Sequence, residues 1–428
     1  MSSAAAMRAR IADSILAPGL RRTLENYCKL MAGTSARLAL QALYFFILAN
    51  TLSLADMGIF ASVSAAGMIL ASFSGLGFGG LAFRAAAGRP RLLGQYLGLF
   101  YGSLLISTPL GLLVALPVYH LLFADVIALP VFLILLFVEI ALWRPIEVLF
   151  AIQNGMGRFS VAALAITLGS GLRALGAVAF LLSGGGDVAQ WTGFYAAANL
   201  AALLLVLAAM RPPVRPRWRT RLFVTRLRDG VMFTLSYCAL MAQGHIDKLI
   251  VLSLADARFA GIYAISSRIL DFTALPFRSF YTLYTRKLFG EGKRIHNALR
   301  RTLTLEGMIL LLSLLGFAGL ALLLWRWPHL LGENIAVAAH LFLAMLMVPA
   351  FRNLMEFHAE LFFVYGRMTA RAVIAIALVA LNAAALALLL AMTGDTVTIG
   401  LWLNAVYGGL YLLSAAALYR FVTGSNRP

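Results

Sequence analysis

Acidic side chains are scarce in this chain. Asp and Glu number 17 against 35 Lys and Arg, and charged residues of both signs make up only 12% of the 428 positions, about half the share of a soluble domain. With 62% of residues hydrophobic, a water-soluble globule of this size would expose large apolar patches. Cytosolic enzymes, disordered proteins and disulfide-stapled modules are therefore excluded. Cysteine is nearly absent: Cys28 and Cys238 fall in different segments, so a disulfide is not expected. The six histidines, at 120, 245, 296, 329, 340 and 358, contain no His-x-x-x-His pair, and no metal spacing is seen. The chain has no Gly-x-x-x-x-Gly-Lys-Ser/Thr loop, so it is no ATP-driven pump. No cofactor is expected, and no enzymatic site.

What the chain has in abundance is long apolar runs. A bilayer core of ~30 Å takes roughly 20 apolar residues per helix, and twelve such segments can be read. They are 29–52, 58–82, 96–119, 126–150, 159–182, 188–210, 230–254, 259–283, 302–325, 335–358, 370–391 and 397–420. Helices satisfy their own backbone groups in lipid, and the runs are too continuous for barrel strands. The fourth is the least regular, carrying Pro130, Pro145, Glu139, Arg144 and Glu147. The fold class expected is thus an all-α integral membrane protein of twelve transmembrane helices in two pseudo-symmetric six-helix bundles.

Basic residues partition sharply between alternate loops: 26 lie on one side and only Arg258 and Arg326 on the other. Asp56, Asp125, Asp187, Asp256, Glu333 and Asp395 all lie on the second side. The positive-inside rule then places both termini in the cytoplasm, and the bases sit beside lipid headgroups rather than forming a nucleic-acid face. The organisation expected is a cytoplasmic segment 1–28, a six-helix bundle 29–210, a basic cytoplasmic linker 211–229, a second bundle 230–420 and a cytoplasmic tail 421–428. The N-terminal segment is polar and basic, unlike a cleaved signal peptide.

The halves echo one another. Leu52-Ser53-Leu54-Ala55-Asp56 recurs as Leu252-Ser253-Leu254-Ala255-Asp256, each followed by a Gly-Ile-aromatic step, Gly58-Ile59-Phe60 and Gly261-Ile262-Tyr263. Both copies fall between the first two helices of their half. Six helices is an even number, so the repeat is parallel, about an axis along the membrane normal, with the substrate path between halves.

Two stretches and the twelve-helix layout carry a family resemblance. LADMGIFASVSAAGMILASFSGLGFGGLAFR (54–84) has an acidic-x-Gly-x-aromatic start and a small-residue Gly-Leu-Gly finish. IDKLIVLSLADARFAGIYAISSRILDFTALP (246–276) has an Asp before an apolar stretch, then Gly-x-Tyr and a helix bearing an Arg. The chain resembles the polysaccharide transporter branch of the multidrug/oligosaccharidyl-lipid/polysaccharide (MOP) exporter superfamily, the Wzx-type flippases of lipid-linked oligosaccharides. Lipid II flippases of that superfamily usually have two further helices. The major facilitator superfamily fits less well, because the loop after helix two reads FRAAAGRPRLL (83–93) and lacks that family's Asp-Arg.

A charge at the bilayer centre costs several kcal/mol and normally faces a partner or a water-filled cavity. Seven bases (Arg37, Arg144, Arg173, Lys248, Arg268, Arg278, Arg352) and six acids (Glu139, Glu147, Asp247, Asp271, Glu306, Glu356) fall within the segments. Arg144–Glu147 and Arg268–Asp271 are i,i+3 neighbours and Arg352–Glu356 an i,i+4 pair, spacings that share a helix face. Arg173 has no acid on its helix and must line a cavity or pair with a carboxylate such as Glu139 or Asp271. Asp247 and Lys248 are adjacent and expected to point apart, so they would not simply neutralise each other. A basic lumen suits an anionic substrate, because Arg chelates phosphate oxygens bidentately.

With the resemblance, these residues imply a flippase that moves a polyprenyl-diphosphate-linked oligosaccharide across the cytoplasmic membrane by alternating access, for surface or exopolysaccharide assembly. Arg37, Arg173, Arg268 and Lys248 would form the cationic lumen, and Asp247, Asp271 and Glu139 would serve coupling or gating. Tyr44, Phe45, Tyr237, Tyr281 and Tyr284 are candidate sugar contacts or interfacial aromatics. Partners would be the lipid-linked substrate, membrane lipids and other polysaccharide assembly proteins, with no nucleic acid. A multidrug/cation antiporter of the same superfamily, or a scaffold binding partners through 211–229, are the alternatives.

Overall fold

Every regular element in the computed structural model is helical; the structure describes residues 36–291, 298–365 and 367–424. The expected segment 1–28 with Cys28, His296 and the end of the tail lie outside the described residues. The first bundle comprises α1 (36–51), α2 (Leu54–Ala71 and Phe78–Gly88), α3 (Leu93–Leu122), α4 (Leu129–Gly155), α5 (Phe159–Leu182) and α6 (Val188–Met210). The second comprises α7 (Thr220–Leu254), α8 (Ala257–Glu291), α9 (Ala298–Arg326), α10 (Glu333–Ala344 and Val348–Val364), α11 (Met368–Met392) and α12 (Thr396–Gly424). These are the twelve spans of an integral membrane protein. Among the described residues, eight helices are long and apolar enough to cross a membrane, or nine when the halves of α10 are joined. α7 and α8 are 35 residues each, ~50 Å at 1.5 Å per residue, but their length is punctuated by the half-buried charges Asp247, Lys248, Arg268 and Asp271.

The irregular spans have local causes. In α4, Pro130 sits in the first turn, where its missing N–H costs nothing. Pro145 follows a wide π-turn over Val138–Trp143, which absorbs the lost hydrogen bond and presents Glu139 to the bundle interior. α2 breaks at Gly75, Leu76 and Gly77, which adopt φ of +70°, +47° and +76°. Only glycine takes such values cheaply, and Ser107 of α3 caps the break by accepting from Gly75 N–H at 2.9 Å. A Cβ on Gly77 would lie 2.0 Å from the carbonyl oxygen of Gly230, so α7 packs backbone to backbone on this break. α10 bends by 71° between its halves. Asn404 of α12 closes that gap, accepting from Met347 N–H at 2.9 Å and donating to the Ala344 carbonyl at 2.5 Å.

The segment 211–229, expected as a linker, divides in two. Residues 211–219 run extended along α3, where Arg217 N–H donates to the Gly94 carbonyl at 2.8 Å, while helix α7 already begins at Thr220. This defines a basic end of the bundle. At the opposite end the acids have a second reason for their placement. Asp187, Asp256 and Asp395 each accept a hydrogen bond from the first-turn backbone of α6, α8 and α12, and Asp56 and Glu333 stand in the first turns of α2 and α10. Carboxylates at helix N-termini are stabilised by the orphan N–H groups and the dipole. Hydrogen bonds from Thr398 hold the Asp395 carboxyl below its ordinary range.

The two bundles meet along α2 and α8 at that acidic end. A Cβ on Gly261 would lie 1.8 Å from the Leu54 oxygen, and one on Gly58 would lie 2.2 Å from the Ala257 oxygen. The repeated motifs thus pack against each other across the pseudo-twofold axis. Asn334 donates to the carbonyls of Ala49 and Leu52 at 2.8 and 2.7 Å, and Asn50 to that of Leu331 at 2.7 Å. The acidic end is closed.

Candidate functional site: a cation-lined cavity between the bundles

Two adjoining cavities open in the basic half, and Arg37 lines both. The first, about 260 Å³, lies among α1, α2, α4, α5 and α7, with Arg37, Arg144, Glu147, Phe233 and Tyr237 on its walls. The second, about 230 Å³, lies between α1 and α8, with Arg37, Gln41, Arg268, Asp271 and Arg278. The small residues Gly79 and Gly80 make room for the first.

The charges in these walls are unequally compensated. Arg144 donates to Glu147 at 3.0 Å and to the Tyr237 hydroxyl at 3.0 Å, its guanidinium also lying 4.3 Å from that ring's centre. Arg278 makes a bidentate pair with Glu356 of α10, at 3.0 and 2.6 Å. Asp271 accepts from Arg352 of α10 at 2.9 Å. Among the described residues, Arg37 and Arg268 make no hydrogen bond or ion pair, and Arg37 Nε is buried without a partner. Arg268 has only the Phe272 ring, 5.5 Å away. One guanidinium without a hydrogen-bond or ion-pair partner among the described residues thus enters from each bundle, Arg37 in the field of Glu147 and Arg268 in that of Asp271.

The acids were expected to pair along their own helices, and two of the three pairs differ. Arg144–Glu147 forms as the spacing indicates. Arg268–Asp271 and Arg352–Glu356 are replaced by the interhelical pairs Arg352–Asp271 and Arg278–Glu356. Adjacent α8 and α10 let Arg352 and Arg278 take the two carboxylates across the interface, which leaves Arg268 without one. Asp247 and Lys248 were expected to point apart, yet Lys248 Nζ lies 3.5 Å from Asp247 Oδ1. The long Lys side chain curls back, donating to the Gly244 carbonyl at 3.2 Å. Asp247 also accepts from the Tyr263 hydroxyl of α8 at 2.9 Å, and the Lys248 carbonyl accepts from Ser62 of α2 at 3.1 Å. This cluster lies in the seam of α2, α7 and α8, away from both cavities.

Arg173 and Glu139 stand together in the first bundle. Arg173 Nη2 is 3.5 Å from Glu139, Nε donates to Asn199 at 2.7 Å, and the guanidinium lies 3.5 Å from the Trp143 ring centre. Tyr195 donates to Glu139. Neither residue lines either of the two cavities above, and Arg173 stands in the pair with Glu139. Breaking a buried pair costs about 3–5 kcal/mol, because the other charge is left uncompensated. Arg173→Gln is therefore expected to lower the thermal stability of the purified protein strongly. Adding Glu139→Gln should restore much of the loss, and a melting series on the two singles and the double variant measures it. Of the aromatic candidates, Tyr237 lines the first of these two cavities. Tyr44 packs on Trp191, Phe45 is core, Tyr281 donates to the Asn353 carbonyl, and Tyr284 stacks on Phe280.

One polar cluster escaped the sequence. His358 of α10 is fully buried between Glu306 of α9, 2.9 Å from Nε2, and Ser414 of α12, 2.9 Å from Nδ1. Tyr411 and Tyr419 both donate to the same carboxylate. Histidine spacing offered no signal, since the partners come from two other helices, α9 and α12. Glu306, about two turns from the start of α9, is buried.

Known proteins fall into the same pattern. An inward-facing multidrug resistance transporter of the MATE family in the MOP superfamily superposes with a TM-score of 0.71 at 15% identity, covering 91% of this chain and 98% of that one. The lipid II flippase MurJ, in an inward closed conformation, gives 0.63 at 11% identity over 92% and 87%. A MOP superfamily transporter from Pyrococcus furiosus, described as having a binding pocket of reversed polarity, gives 0.57 at 18% identity over 92% and 94%. No curated protein matches significantly. The fold is that of these membrane transporters and of the lipid II flippase. The model of the polysaccharide biosynthesis protein family matches residues 23–275, which take in Arg37, Arg268 and both copies of the internal repeat. The chain belongs to the polysaccharide biosynthesis protein family.

Proposed function

We propose that the protein is a flippase for a polyprenyl-diphosphate-linked oligosaccharide, with its basic end in the cytoplasm. The observation that carries this reading is the pair of guanidiniums without a hydrogen-bond or ion-pair partner among the described residues, Arg37 and Arg268, facing one cavity system from opposite bundles. A cation substrate would be repelled by such a site, which weighs against the multidrug antiporter. A diphosphate supplies the missing negative charge and matches the planar fork of Arg. Each cavity is smaller than the roughly 300–1,000 Å³ of ordinary ligand pockets, so this form has room for a headgroup while the sugars require the bundles to part further.

The mechanism follows from the closures. With the acidic end sealed by Gly58, Gly261, Asn50 and Asn334, the headgroup enters from the basic side and bridges Arg37 and Arg268. Bridging draws the bundles together there and favours opening at the other end, in the rocking motion of parallel-repeat transporters. Asp271 and Glu356, holding Arg352 and Arg278, act as a gate: a diphosphate competes with them for the same guanidiniums. The Asp247–Lys248–Tyr263 seam would have to part during opening, so it reports on that step rather than on binding.

The reading is tested by deleting the gene and quantifying polyprenyl-linked sugars in the membrane by mass spectrometry. Complete repeat units should accumulate on the cytoplasmic side while surface polysaccharide is lost, and complementation should reverse both. Unchanged lipid-linked sugars would sink the proposal. Charge-reversing 211–228 separates out the scaffold reading, which alone predicts lost function in a stably inserted protein.

A further inference from the structure

We propose that the Glu306–His358 cage in the second bundle is a proton-binding site that drives the conformational cycle. The inference rests on the protein being a transporter, but its test needs no substrate.

The geometry defines where the proton goes. Glu306 is surrounded by donors: His358 Nε2, the Tyr411 hydroxyl at 2.8 Å and the Tyr419 hydroxyl. A carboxylate so placed is an acceptor throughout. The remaining position is His358 Nδ1, which faces Ser414 Oγ at 2.9 Å. A serine hydroxyl donates or accepts as required. With Nδ1 bare, Ser414 donates to it; with Nδ1 protonated, the imidazolium donates to Ser414. The same heavy-atom frame thus holds both states, and the site changes by one charge. Loaded, the imidazolium and Glu306 carboxylate cancel; unloaded, one net negative charge remains among the apolar side chains of Ile309, Phe357 and Leu418. Such a change in a low-dielectric setting has consequences for packing.

Among the described residues, Glu306 makes no ion pair besides the one with His358, and Arg301 of α9 lies over the Tyr284 ring, 5.3 Å from its centre. From α8 come Tyr281 and Tyr284, both packed on Phe357 rather than on the pair. Arg278 of α8 is engaged by Glu356, and Arg371 of α11 by Glu360 at 3.1 Å. From α12 come Tyr411, Ser414 and Tyr419. Tyr411 and Tyr419 are half-buried and give a hydroxyl route from the basic end to the buried pair.

α10 links the cage to the cavity. His358 faces α9 and α12, while Arg352 and Glu356 on the same helix hold Asp271 and Arg278 in the cavity wall. Above them the helix is broken, and its free backbone groups are held by Asn404 of the very helix that supplies Ser414. The lower half of α10 therefore has a pivot, a titrating group on one face and the cavity charges on the other. Discrete rearrangement of a packed helix is how a local charge change becomes a global one.

The experiment uses the full-length protein in lipid nanodiscs, with Cys28 and Cys238 replaced by alanine and spin labels at Arg84 and Val373, exposed positions near the basic ends of the two bundles. The label separation is measured from pH 5 to 9. The unmutated cage should show a single one-proton transition. His358→Gln, which keeps a donor to Glu306 but does not titrate, should abolish it, and Ser414→Ala should move its midpoint by about half a pH unit or more. Should His358→Gln fail to fold, the Ser414→Ala shift decides alone. A pH-independent separation, or a transition that survives His358→Gln or ignores Ser414→Ala, overturns the proposal. A proton transition in a protein whose deletion leaves lipid-linked sugars unchanged would instead overturn only the assigned substrate.

Discussion

Replacing Arg37 or Arg268 by glutamine is expected to cut flipping roughly ten- to a hundredfold, and replacing both should abolish it. The magnitude follows from the contacts at stake. A hydrogen bond to a charged group is worth about 1.5–3 kcal/mol, and each 1.4 kcal/mol is a factor of ten. Neither residue has a protein partner among the described residues, so its removal strands no carboxylate and protein levels should hold. This distinguishes the pair from Arg173, whose loss exposes Glu139. Arg37→Lys and Arg268→Lys should recover only part of the activity, because ammonium keeps the charge without the planar fork. Guanidinium stays protonated across the working range, so the deficit should be the same at pH 6 and pH 8. Accumulated polyprenyl-linked repeat units, quantified in a deletion strain carrying each variant at matched membrane abundance, provide the measure. Full activity in both single variants and in the double would refute the cationic site.

Much of the fold could be read from the chain because lipid imposes a single dominant rule. Apolar runs of membrane length and the partition of Lys and Arg fixed twelve spans without knowledge of any contact. Helix ends were less legible. α7 already starts at Thr220, inside the segment read as a linker, and α8 continues through Glu291 into what reads as a basic loop. Glycine-rich SGLGFGG reads as close packing, and Gly77 against Gly230 is close packing, but the break in α2 at Gly75–Gly77 needed the backbone to be seen.

Side-chain partners were legible only where they are local. Arg144 and Glu147 pair as their spacing allows, since both project from one face. Arg352 and Asp271 are 81 positions apart, and Glu306 and His358 are 52 apart. Nothing in a single sequence ranks such pairings above the same-helix alternatives. The interhelical pairings form because packing brings the partners within reach: Arg352 lies 2.9 Å from Asp271 across α8 and α10, and His358 lies 2.9 Å from Glu306 across α9 and α10. Arg37 and Arg268 were legible as buried bases, but their lack of partners was not. That lack became visible only once every neighbouring carboxylate had been assigned to another cation.

Gly261→Ala is expected to force the acidic ends of the bundles apart and reduce transport by more than tenfold. On local grounds alone the change should help, because alanine favours a helix interior by about 1 kcal/mol over glycine. The tertiary contact reverses the sign. The new Cβ would stand 1.8 Å from the Leu54 carbonyl oxygen, and neither atom belongs to a side chain that can swing away. The two backbones must separate by more than 1 Å, and close packing transmits such a shift rather than absorbing it. The hydrogen bond from Ser62 to the Lys248 carbonyl and those from Asn334 to α1 are stretched by the same movement. Gly58→Ala, whose Cβ would stand 2.2 Å from the Ala257 oxygen, should act alike. Gly244→Ala is the control, since its Cβ meets nothing within 4 Å. Spin labels at Asp125 and Val397, exposed on the acidic side of the two bundles, should show a longer separation for Gly261→Ala and Gly58→Ala and none for Gly244→Ala. Unchanged separation together with unchanged transport would mean that the glycine contact does not hold this end closed. The recurrence of Gly-Ile-aromatic in both halves has the same physical origin. Two identical motifs facing across a pseudo-twofold axis each present the other with a backbone, and only glycine on both sides lets the bundles meet.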